Sequence, residues 1–328
     1  MVDQALSVLE QYELDVKGVR KGRGNWIINC REGDFVLKEY GGGEERAKLQ
    51  SKMTTQIHEK TGVLVQEIVP NKEGSLLTKD GEENTYTIQT YMEGRECNIK
   101  DEKECEAAVQ TMARMHKGMI FSETEWGQIP VPYSLKKEFS KRNAELRRLR
   151  RYLKEKRKKN DFERFLSNSL PMFFEKALEA EADWEHYESR CLGPQGEYVF
   201  CHGDYQHHNV WVNGNERMIL QFEKFAPDLP CRDLYLFLRK LMEKYDWDVA
   251  VGKSILEVYG KERPIPFGEQ VSMLYRFAYP EKFWKIANYY FNGKKSFVPE
   301  KSMEKLEKLL EQENAKMRFI KEVLAPRF

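Results

Sequence analysis

The chain has 328 residues, and at about 150 residues per domain this length predicts two domains or lobes. Apolar side chains make up 41% of the sequence and aromatic side chains 12%, which is enough for a large core and argues against a disordered chain. The 54 basic and 53 acidic side chains nearly cancel, so a protein that attracts polyanions through its overall charge is disfavoured.

The sequence also argues against export and membrane insertion. No stretch approaches the roughly 18 apolar residues of a membrane span, and residues 1–5 lack the basic head and apolar run of a secretion signal. The cysteines lie far apart and form no CxxC pair: Cys30, Cys97, Cys105, Cys191, Cys201 and Cys231. We therefore expect a cytoplasmic protein with reduced thiols, no zinc cluster and no disulfides.

The first hundred residues are rich in predicted strands. Residues 26–30 and 35–40 are β-prone runs, and the polar turn between them contains Gly33, so the pair predicts an antiparallel hairpin. A helix is predicted at residues 44–60, where Gly62 ends it. Further strands are predicted at residues 63–69 and 85–92.

From residue 101 onward the pattern is mainly helical. One helix face carries apolar side chains at helical spacing: Ala108, Met112, Met115 and Met119. Helices are also predicted at residues 135–159, where the apolar stripe is Leu135, Phe139, Leu146, Leu149 and Leu153, and at residues 162–178. Short strands are predicted at residues 198–201, 210–212 and 218–222. Everything after Leu229 is predicted to be helical, with breaks at Gly260, Pro264, Pro266, Pro280 and Pro299.

This order of elements predicts an α+β architecture with two lobes. An N-terminal lobe with a small antiparallel sheet and one helix is expected at residues 1–93. A larger, mainly helical lobe that carries a strand–loop–strand insert is expected at residues 94–328.

The loop of that insert carries the strongest chemical signal. It has the sequence Cys-His-Gly-Asp-Tyr-Gln-His-His-Asn-Val, which puts a carboxylate at Asp204 and a carboxamide at Asn209. In phosphoryl transfer a carboxylate orients the attacking hydroxyl, and an amide oxygen binds a magnesium ion that bridges phosphates. For an isolated His-Gly-Asp, a polar loop whose side chains only satisfy one another is the more frequent explanation.

Three further features favour phosphoryl transfer over that explanation. The spacing from Asp204 to Asn209 matches the Asp-to-Asn spacing of kinase catalytic loops. Lys38 ends an apolar strand after a hairpin, as does the kinase lysine that binds nucleotide phosphates. A second apolar strand, at residues 219–223, follows the loop where the second metal-binding segment of a kinase lies.

Segments on both sides of the loop carry a resemblance to a known family. Residues 228–235 (DLPCRDLY) and 279–288 (YPEKFWKIAN), the Leu-Arg-Arg-Leu-Arg-Arg helix at 146–151 and residues 92–97 (MEGREC) resemble the CotS-type spore coat proteins of endospore-forming bacteria. That family is similar to the aminoglycoside phosphotransferases and choline kinases, which have the two-lobed protein-kinase-like fold. The resemblance covers nearly the whole chain and implies this fold, with ATP and Mg²⁺ as cofactors.

The resemblance also implies a role for each matching residue. The implied roles are catalytic base for Asp204, loop support for His202 and Asp233, metal ligand for Asn209, phosphate contact for Lys38, and hinge beside the adenine for Tyr91 and Met92. Glu45 is the candidate acidic partner of Lys38, although both Glu44 and Glu45 come early in the predicted helix for that role.

The chain departs from the family pattern at the second metal site. The relatives have Ile-Asp-Phe-Asp or Ile-Asp-Phe-Glu there, whereas this chain has Leu-Gln-Phe-Glu, so Gln221 replaces the aspartate. An amide oxygen can bind Mg²⁺ but brings no negative charge, and hard cations in nucleotide sites usually rely on one or two carboxylates. Glu223 can compensate if the strand continues, because side chains two residues apart share a strand face.

The expected phosphate-binding loop is also poorly matched. Gly18, Gly22 and Gly24 lack the G-x-G-x-x-G spacing. Together with Gln221, this indicates a weak or degenerate kinase.

Four other features have structural explanations that we favour over functional ones. The basic helix at residues 136–159 can bind nucleic acid, but charge runs on a helix usually face solvent, so nucleic acid is not expected as a partner. His207 and His208 are expected to line a cleft rather than bind a metal. Cys201 is expected to be a small buried hydrophobe rather than a nucleophile. The aromatic residues at 283–291 are expected to form core rather than stack on a sugar.

Two functions remain open for the chain. As a small-molecule kinase in the cytoplasm of the mother cell, it would transfer the γ-phosphoryl group of ATP to a hydroxyl of a sugar or amino alcohol. As a pseudokinase, it would keep the fold as a binding or assembly module, and its partners would be other spore coat proteins. Gln221 is the residue on which the choice depends, since it lowers the charge of the metal site.

Overall fold

The computed structural model describes residues 7–22, 24–120, 134–190, 196–293 and 300–325. The chain divides into two compact units. The first comprises Met1–Ile129, Val199–Asp228 and Val258–Arg263, and the second comprises Pro130–Tyr198, Leu229–Glu257 and Pro264–Phe328. The lobe boundary expected at residues 93 and 94 stays a prediction.

The described residues of the first unit form three antiparallel or mixed sheets. Its strands are β1 (Val16–Lys21), β2 (Trp26–Cys30), β3 (Asp34–Glu39), β4 (Leu64–Val65), β5 (Ile68–Val69), β6 (Thr78–Lys79), β7 (Thr85–Tyr91), β8 (Arg95–Glu96), β9 (Val199–Cys201), β10 (Val210–Asn213), β11 (Glu216–Ile219) and β12 (Ala226–Asp228). The largest sheet is antiparallel and has the order β1-β2-β3-β7-β5, with β6 also paired to β7. A second sheet has the order β4-β11-β10-β8, and β12 pairs with β9.

The predicted hairpin is confirmed by the pairing of β2 with β3. Its register places Trp26 opposite Leu37 and Asn29 opposite Asp34, and Asn29 Nδ2 donates to Asp34 Oδ1 at 2.8 Å. Gly33 has a φ of 140°, a backbone angle that is essentially restricted to glycine, so it closes the turn without strain.

The helices follow the predicted apolar periodicity. They are α1 (Glu44–Thr61), α2 (Glu102–Gly118), α3 (Leu135–Glu155), α4 (Asp161–Arg190), α5 (Cys231–Met242), α6 (Val249–Glu262), α7 (Phe267–Ala278), α8 (Glu281–Asn292) and α9 (Glu300–Phe319). Gly62 ends α1 in the left-handed region, at a φ of 67°, as its sequence position predicts. Asp101 caps α2 by accepting a hydrogen bond from the Glu104 N–H at 3.2 Å.

The predicted apolar stripe of α3 is buried and helps to form the core of the second unit. Stacked rings mark the contacts of this core: Phe139 with Tyr279, at a centroid distance of 4.5 Å, and Phe173 with Phe283, at 4.4 Å. The aromatic segment at 283–291 therefore contributes core side chains, as expected, although Tyr289 is exposed.

Several local predictions are wrong. Gly260 does not break a helix but lies within α6, and the strand predicted at 218–222 ends at Ile219. Strand β1 was not predicted, because its polar residues hide the alternation that identifies a strand. Pro264, Pro266 and Pro280 do lie between helices, whereas Pro299 falls outside the described residues.

The expectations on membrane segments and thiols concern the described residues alone. In that part of the chain, every helix is too short or too polar to span a bilayer. The described cysteines are not joined in disulfides: Cys30, Cys97, Cys105, Cys201 and Cys231. Cys191 lies outside the described part.

Candidate active site

The loop after β9 is held in place by a buried histidine. His202 is fully buried and its Nε2 lies 2.7 Å from the Leu220 carbonyl oxygen, while the Asp204 N–H lies 3.1 Å from its Nδ1. A carbonyl can only accept and a backbone N–H can only donate, so the ring is the neutral tautomer with its proton on Nε2. These two contacts connect the loop to the Leu220 backbone, and the supporting role that the resemblance implies for His202 stays a prediction.

Gly203 allows the loop to turn directly after this histidine. Its φ is 79°, and a Cβ at this position would lie 2.2 Å from the backbone oxygen of Lys224. No other residue fits here without moving the Lys224 segment.

Asp204 projects from the loop into a charged environment. Its Oδ2 lies 2.8 Å from Lys224 Nζ, and its Oδ1 accepts a hydrogen bond from Gln206 Nε2 at 2.5 Å. The Asp204 side chain is 19% exposed and that of Lys224 is 69% exposed, so water reaches this pair.

Asn209 is fixed by its backbone and its amide. Its Nδ2 donates to the Asp204 carbonyl at 2.8 Å, and its own carbonyl accepts from the Leu220 N–H at 2.9 Å. The amide nitrogen thus points back into the loop, which leaves the amide oxygen as the ligand that the side chain offers.

Lys38 lies on the central strand β3, and its side chain is buried. The residue is 7% exposed, and Nζ forms an ion pair with Glu223. The same ammonium donates to Gln66 Oε1 at 3.1 Å and to Gln221 Oε1 at 3.4 Å. Lys38 therefore has three oxygen partners, of which one is charged.

Burial and pairing act in opposite directions on the pKa values of this ion pair. Burial lowers the pKa of Lys38 more than the Glu223 carboxylate raises it. Burial alone would raise the pKa of Glu223, but the charge and hydrogen bond of Lys38 outweigh it and lower that pKa. The Glu223 carboxylate is consequently held in its charged form beside the lysine.

Gln66 is a site residue that sequence reasoning missed. It is 2% exposed, and its Oε1 also accepts from the Gln221 N–H at 3.3 Å, so it joins Lys38 to the segment after β11. The parallel pairing of β4 with β11 places it there, with Val65 opposite Ile219. The available signal was the polar pair Gln66 and Glu67 inside the otherwise apolar run at 63–69.

Gln221 sits in a left-handed backbone conformation, with φ 66° and ψ 58°. This turn ends the extended run, and Phe222–Lys224 forms a short 3₁₀ helix instead of strand. The strand therefore does not continue to Glu223, and the condition under which Gln221 and Glu223 would share a strand face is not met. Asp and Asn tolerate this conformation better than Gln, so the backbone here is locally strained.

Arg46 is a second residue that the sequence did not indicate. From helix α1 its Nη2 donates to the carbonyls of Glu223 at 2.8 Å and Phe225 at 2.9 Å, and its guanidinium lies 4.2 Å from the centre of the Phe225 ring. Arg46 thus fixes the backbone that carries Glu223 and Lys224.

A cleft of about 1050 Å³ lies within the first unit, and several of these side chains line it. Most of the predicted site residues line it: Lys38, Tyr91, Asp204, Asn209, Gln221 and Glu223. His208 and Trp211 also line the cleft, and the Tyr91 and Trp211 ring centroids are 6.2 Å apart. Pockets of this size hold small organic ligands, and the aromatic wall suits a flat ring.

Besides the buried His202, three predicted site residues do not line the cleft. Glu45 is exposed and pairs with Lys48 at 3.2 Å, so the structure gives Lys38 a different carboxylate partner, Glu223. Met92 is half-buried and does not line the cleft, whereas its neighbour Tyr91 does. Asp233 is buried in the first turn of α5, in the second unit, and its supporting role stays a prediction.

The glycines proposed for a phosphate-binding loop lie in and beside the β1–β2 turn. The Gly22 N–H donates to the Asn25 carbonyl at 2.9 Å, and Gly24 has a φ of 75° and lines the cleft. Gly18 lies within strand β1. The turn is therefore a hairpin tip at the cleft without the spacing of a kinase glycine-rich loop.

The donor atoms expected to bind Mg²⁺ do not form a free cation site. Glu223 brings the single carboxylate among Asn209, Gln221 and Glu223, and that carboxylate is paired with Lys38. The Gln221 amide oxygen also accepts from the Lys38 ammonium. A divalent cation at these oxygens would lie beside a buried positive charge, so the residues do not fit a resident Mg²⁺.

The chain is similar to one described protein family over nearly its whole length. The model of the family described as spore coat putative kinase YutH matches residues 6–323. The chain belongs to this family. The family resemblance inferred from the sequence is thereby confirmed, and so is a spore coat kinase-like protein as the general class.

Solved structures with the same fold include several phosphotransferases. An aminoglycoside phosphotransferase from Alicyclobacillus acidocaldarius has a TM-score of 0.83 at 16% identity, over 96% of this chain and 94% of that chain. Spectinomycin phosphotransferase, in complex with ADP and spectinomycin, has a TM-score of 0.67 at 12% identity, over 97% and 98%. Amicoumacin kinase, in complex with AMP-PNP and Ca²⁺, has a TM-score of 0.62 at 10% identity, over 98% and 94%. These likenesses confirm the predicted α+β, kinase-like phosphotransferase fold.

Proposed function

We propose that this chain binds ATP in the cleft of the first unit and transfers its γ-phosphoryl group to a hydroxyl of a small molecule. The observation that carries the proposal is that Lys38, Asp204 and Asn209 line one cleft although they are distant in sequence. The phosphotransferase fold and the ADP bound by spectinomycin phosphotransferase support it.

The chemistry assigned to the chain is mainly positioning and charge neutralisation. Lys38 contacts the phosphates, and the adenine binds on the side of the cleft that Tyr91 lines. Asp204 accepts the proton of the acceptor hydroxyl while the oxygen of that hydroxyl bonds to the γ-phosphorus. The bond between that phosphorus and the bridging oxygen breaks, and ADP leaves.

Slow turnover is expected, because Asp204 is already engaged. Its two carboxylate oxygens contact Lys224 and Gln206. An acceptor hydroxyl must displace one of these contacts before Asp204 can take its proton. The cost of this displacement and the missing carboxylate at position 221 lower the rate of phosphoryl transfer. Neither lowers the affinity for nucleotide.

The first test is binding and turnover measured on the same protein. ATP at millimolar concentration is expected to raise the melting temperature, because a ligand that binds only the folded state stabilises it. With glucose, ethanolamine or spectinomycin as acceptor, ³¹P NMR is expected to show slow formation of ADP and of a phosphate ester. The Asp204→Asn variant is expected to keep the ATP-induced shift and to lose product formation.

The second candidate is a binding module that docks other spore coat proteins. The observation in its favour is the same pair of engaged groups, with Asp204 held by Lys224 and an amide at Gln221. It predicts no ester with any acceptor and equal retention of the wild-type and Asp204→Asn chains in purified spore coats. Product formation that depends on Asp204 would exclude it as the sole function.

A further inference from the structure

Two carboxylates of the candidate site, those of Glu223 and Asp204, each form an ion pair with a lysine. Glu223 pairs with Lys38, and Asp204 pairs with Lys224 at 2.8 Å. In kinases, carboxylates at such positions would be expected to attract divalent cations. Here an ammonium group already occupies the position in which each carboxylate would contact a cation.

The two lysines differ in exposure in a way that suits a phosphate chain. Lys38 is 7% exposed and is fixed by three oxygen partners, whereas the Lys224 side chain is 69% exposed. An exposed lysine has four rotatable bonds and a compact charge, so it can leave a carboxylate to follow an incoming phosphate. The segment beneath it is held by Arg46, so the Lys224 backbone stays in place.

A nucleoside triphosphate brings about four negative charges, which must be matched in the cleft. A divalent cation ordinarily supplies part of that positive charge. The ammonium groups of Lys38 and Lys224 together carry two positive charges, as one divalent cation does, and each can donate charge-assisted hydrogen bonds to phosphate oxygens. The oxygens that would bind the cation are Asn209, Gln221 and Glu223, of which two already contact Lys38.

We propose that this cleft binds nucleoside triphosphate without a divalent cation, with Lys38 and Lys224 in place of the metal charge. The inference rests on the proposed function, since it concerns the same cleft. It assigns Lys224 as a nucleotide-binding residue and makes Gln221 the reason for metal independence.

The direct test is calorimetric titration of the full chain with ATP, in EDTA and in MgCl₂ at equal ionic strength. The dissociation constants in EDTA and in MgCl₂ are expected to agree within about threefold. A tenfold difference would correspond to about 1.4 kcal/mol of binding free energy. Binding that is at least about tenfold tighter in MgCl₂ would overturn metal independence and leave the proposed function standing. No binding under either condition would overturn the proposed function itself.

The role of Lys224 is tested by a matched pair of lysine variants. Lys224→Ala is expected to weaken ATP binding in EDTA by about tenfold, the effect of one charge-assisted hydrogen bond. Lys79→Ala is the control, because Lys79 is similarly exposed, at 60%, and pairs with Glu83 away from the cleft. Equal affinities of the two variants in EDTA would overturn the assignment of Lys224.

Gln221→Asp tests the reason for metal independence. An added carboxylate next to Glu223 is expected to create a cation site, so that MgCl₂ now tightens ATP binding by about tenfold or more. If this variant shows the same dissociation constant in EDTA and MgCl₂, position 221 does not decide the metal requirement, and that part of the inference fails.

Discussion

The two units use buried charge in different ways. In the first unit, the ion pair of Lys38 with Glu223 lines an open cleft of about 1050 Å³. In the second unit, Glu281 is 5% exposed, beside a cavity of about 20 Å³. A space of that size has room for about one water, whereas the cleft admits many waters and a ligand.

The partners of the two carboxylates differ as well. Glu281 accepts a hydrogen bond from Tyr235, pairs with Lys285, and lies 3.9 Å from Arg239 and 3.8 Å from Arg142. Burial would raise the pKa of Glu281, but these cations hold it well below its usual range. The comparison teaches that a buried charge with several permanent partners belongs to the fold, while a charge with one ammonium at a cleft is available for function.

The largest effect on stability is expected from Glu281→Gln. The substitution removes one negative charge from a buried network in which, among the described residues, Arg239 and Arg142 keep only Glu243 and Glu138, so the free energy of unfolding should fall by roughly 3–5 kcal/mol. Urea denaturation measures it, and Glu257→Gln, at an exposed position of the same unit, is the control. A decrease in the free energy of unfolding of less than about 1 kcal/mol is typical of an exposed ion pair. It would contradict the view that Glu281 is a structural charge of the second unit.

A smaller effect on stability is expected from Glu223→Gln. Water in the cleft can hydrate the freed ammonium, and Gln66 and Gln221 remain as acceptors. We expect a loss of roughly 1 kcal/mol in the same denaturation experiment. A loss as large as that of Glu281→Gln would show that Lys38 and Glu223 belong to the fold in the same sense as the network of the second unit.

The sequence predicts those parts of the site that are local in the chain. His202, Asp204 and Asn209 stand within one loop, so their residue types and spacing, together with Lys38 and the strand after the loop, indicated a phosphotransferase site. The fold followed for the same reason, because helices and hairpins depend on short-range periodicity and turn residues.

The partners of Lys38 could not be predicted from local sequence patterns. Gln66 reaches Gln221 because a two-residue strand, β4, pairs in parallel with β11, and such a short strand leaves no periodic pattern. Glu223 reaches Lys38 because the chain turns at Gln221 into a left-handed conformation that Gln seldom adopts. Glu45 was expected instead because a charge at a helix start is visible in sequence, whereas the direction it faces is not.

The smallest effect is expected at a third kind of pair, on the surface of the first unit. Arg95 donates to Glu104, whose Oε2 also accepts from the Asn98 N–H at 2.8 Å. The hydrogen bond from Arg95 is the main cause that lowers the pKa of Glu104 to about 2, from 4.5. Because the folded-state pKa is the lower one, the stabilisation is complete above 4.5 and is lost as the pH falls toward 2.

Because folding lowers the pKa of Glu104, its contribution to stability should depend on pH in a defined direction. The free energy of unfolding of the wild type and of Glu104→Gln should differ most near neutral pH, and the difference should shrink as the pH falls below 4.5. Urea denaturation is measured from about pH 7 down to the lowest pH at which both chains stay folded. Glu102→Gln, at an exposed position in the same helical turn, should show no such narrowing. A difference between wild type and Glu104→Gln that stays constant with pH would mean that the Arg95 pair contributes through packing and not through charge.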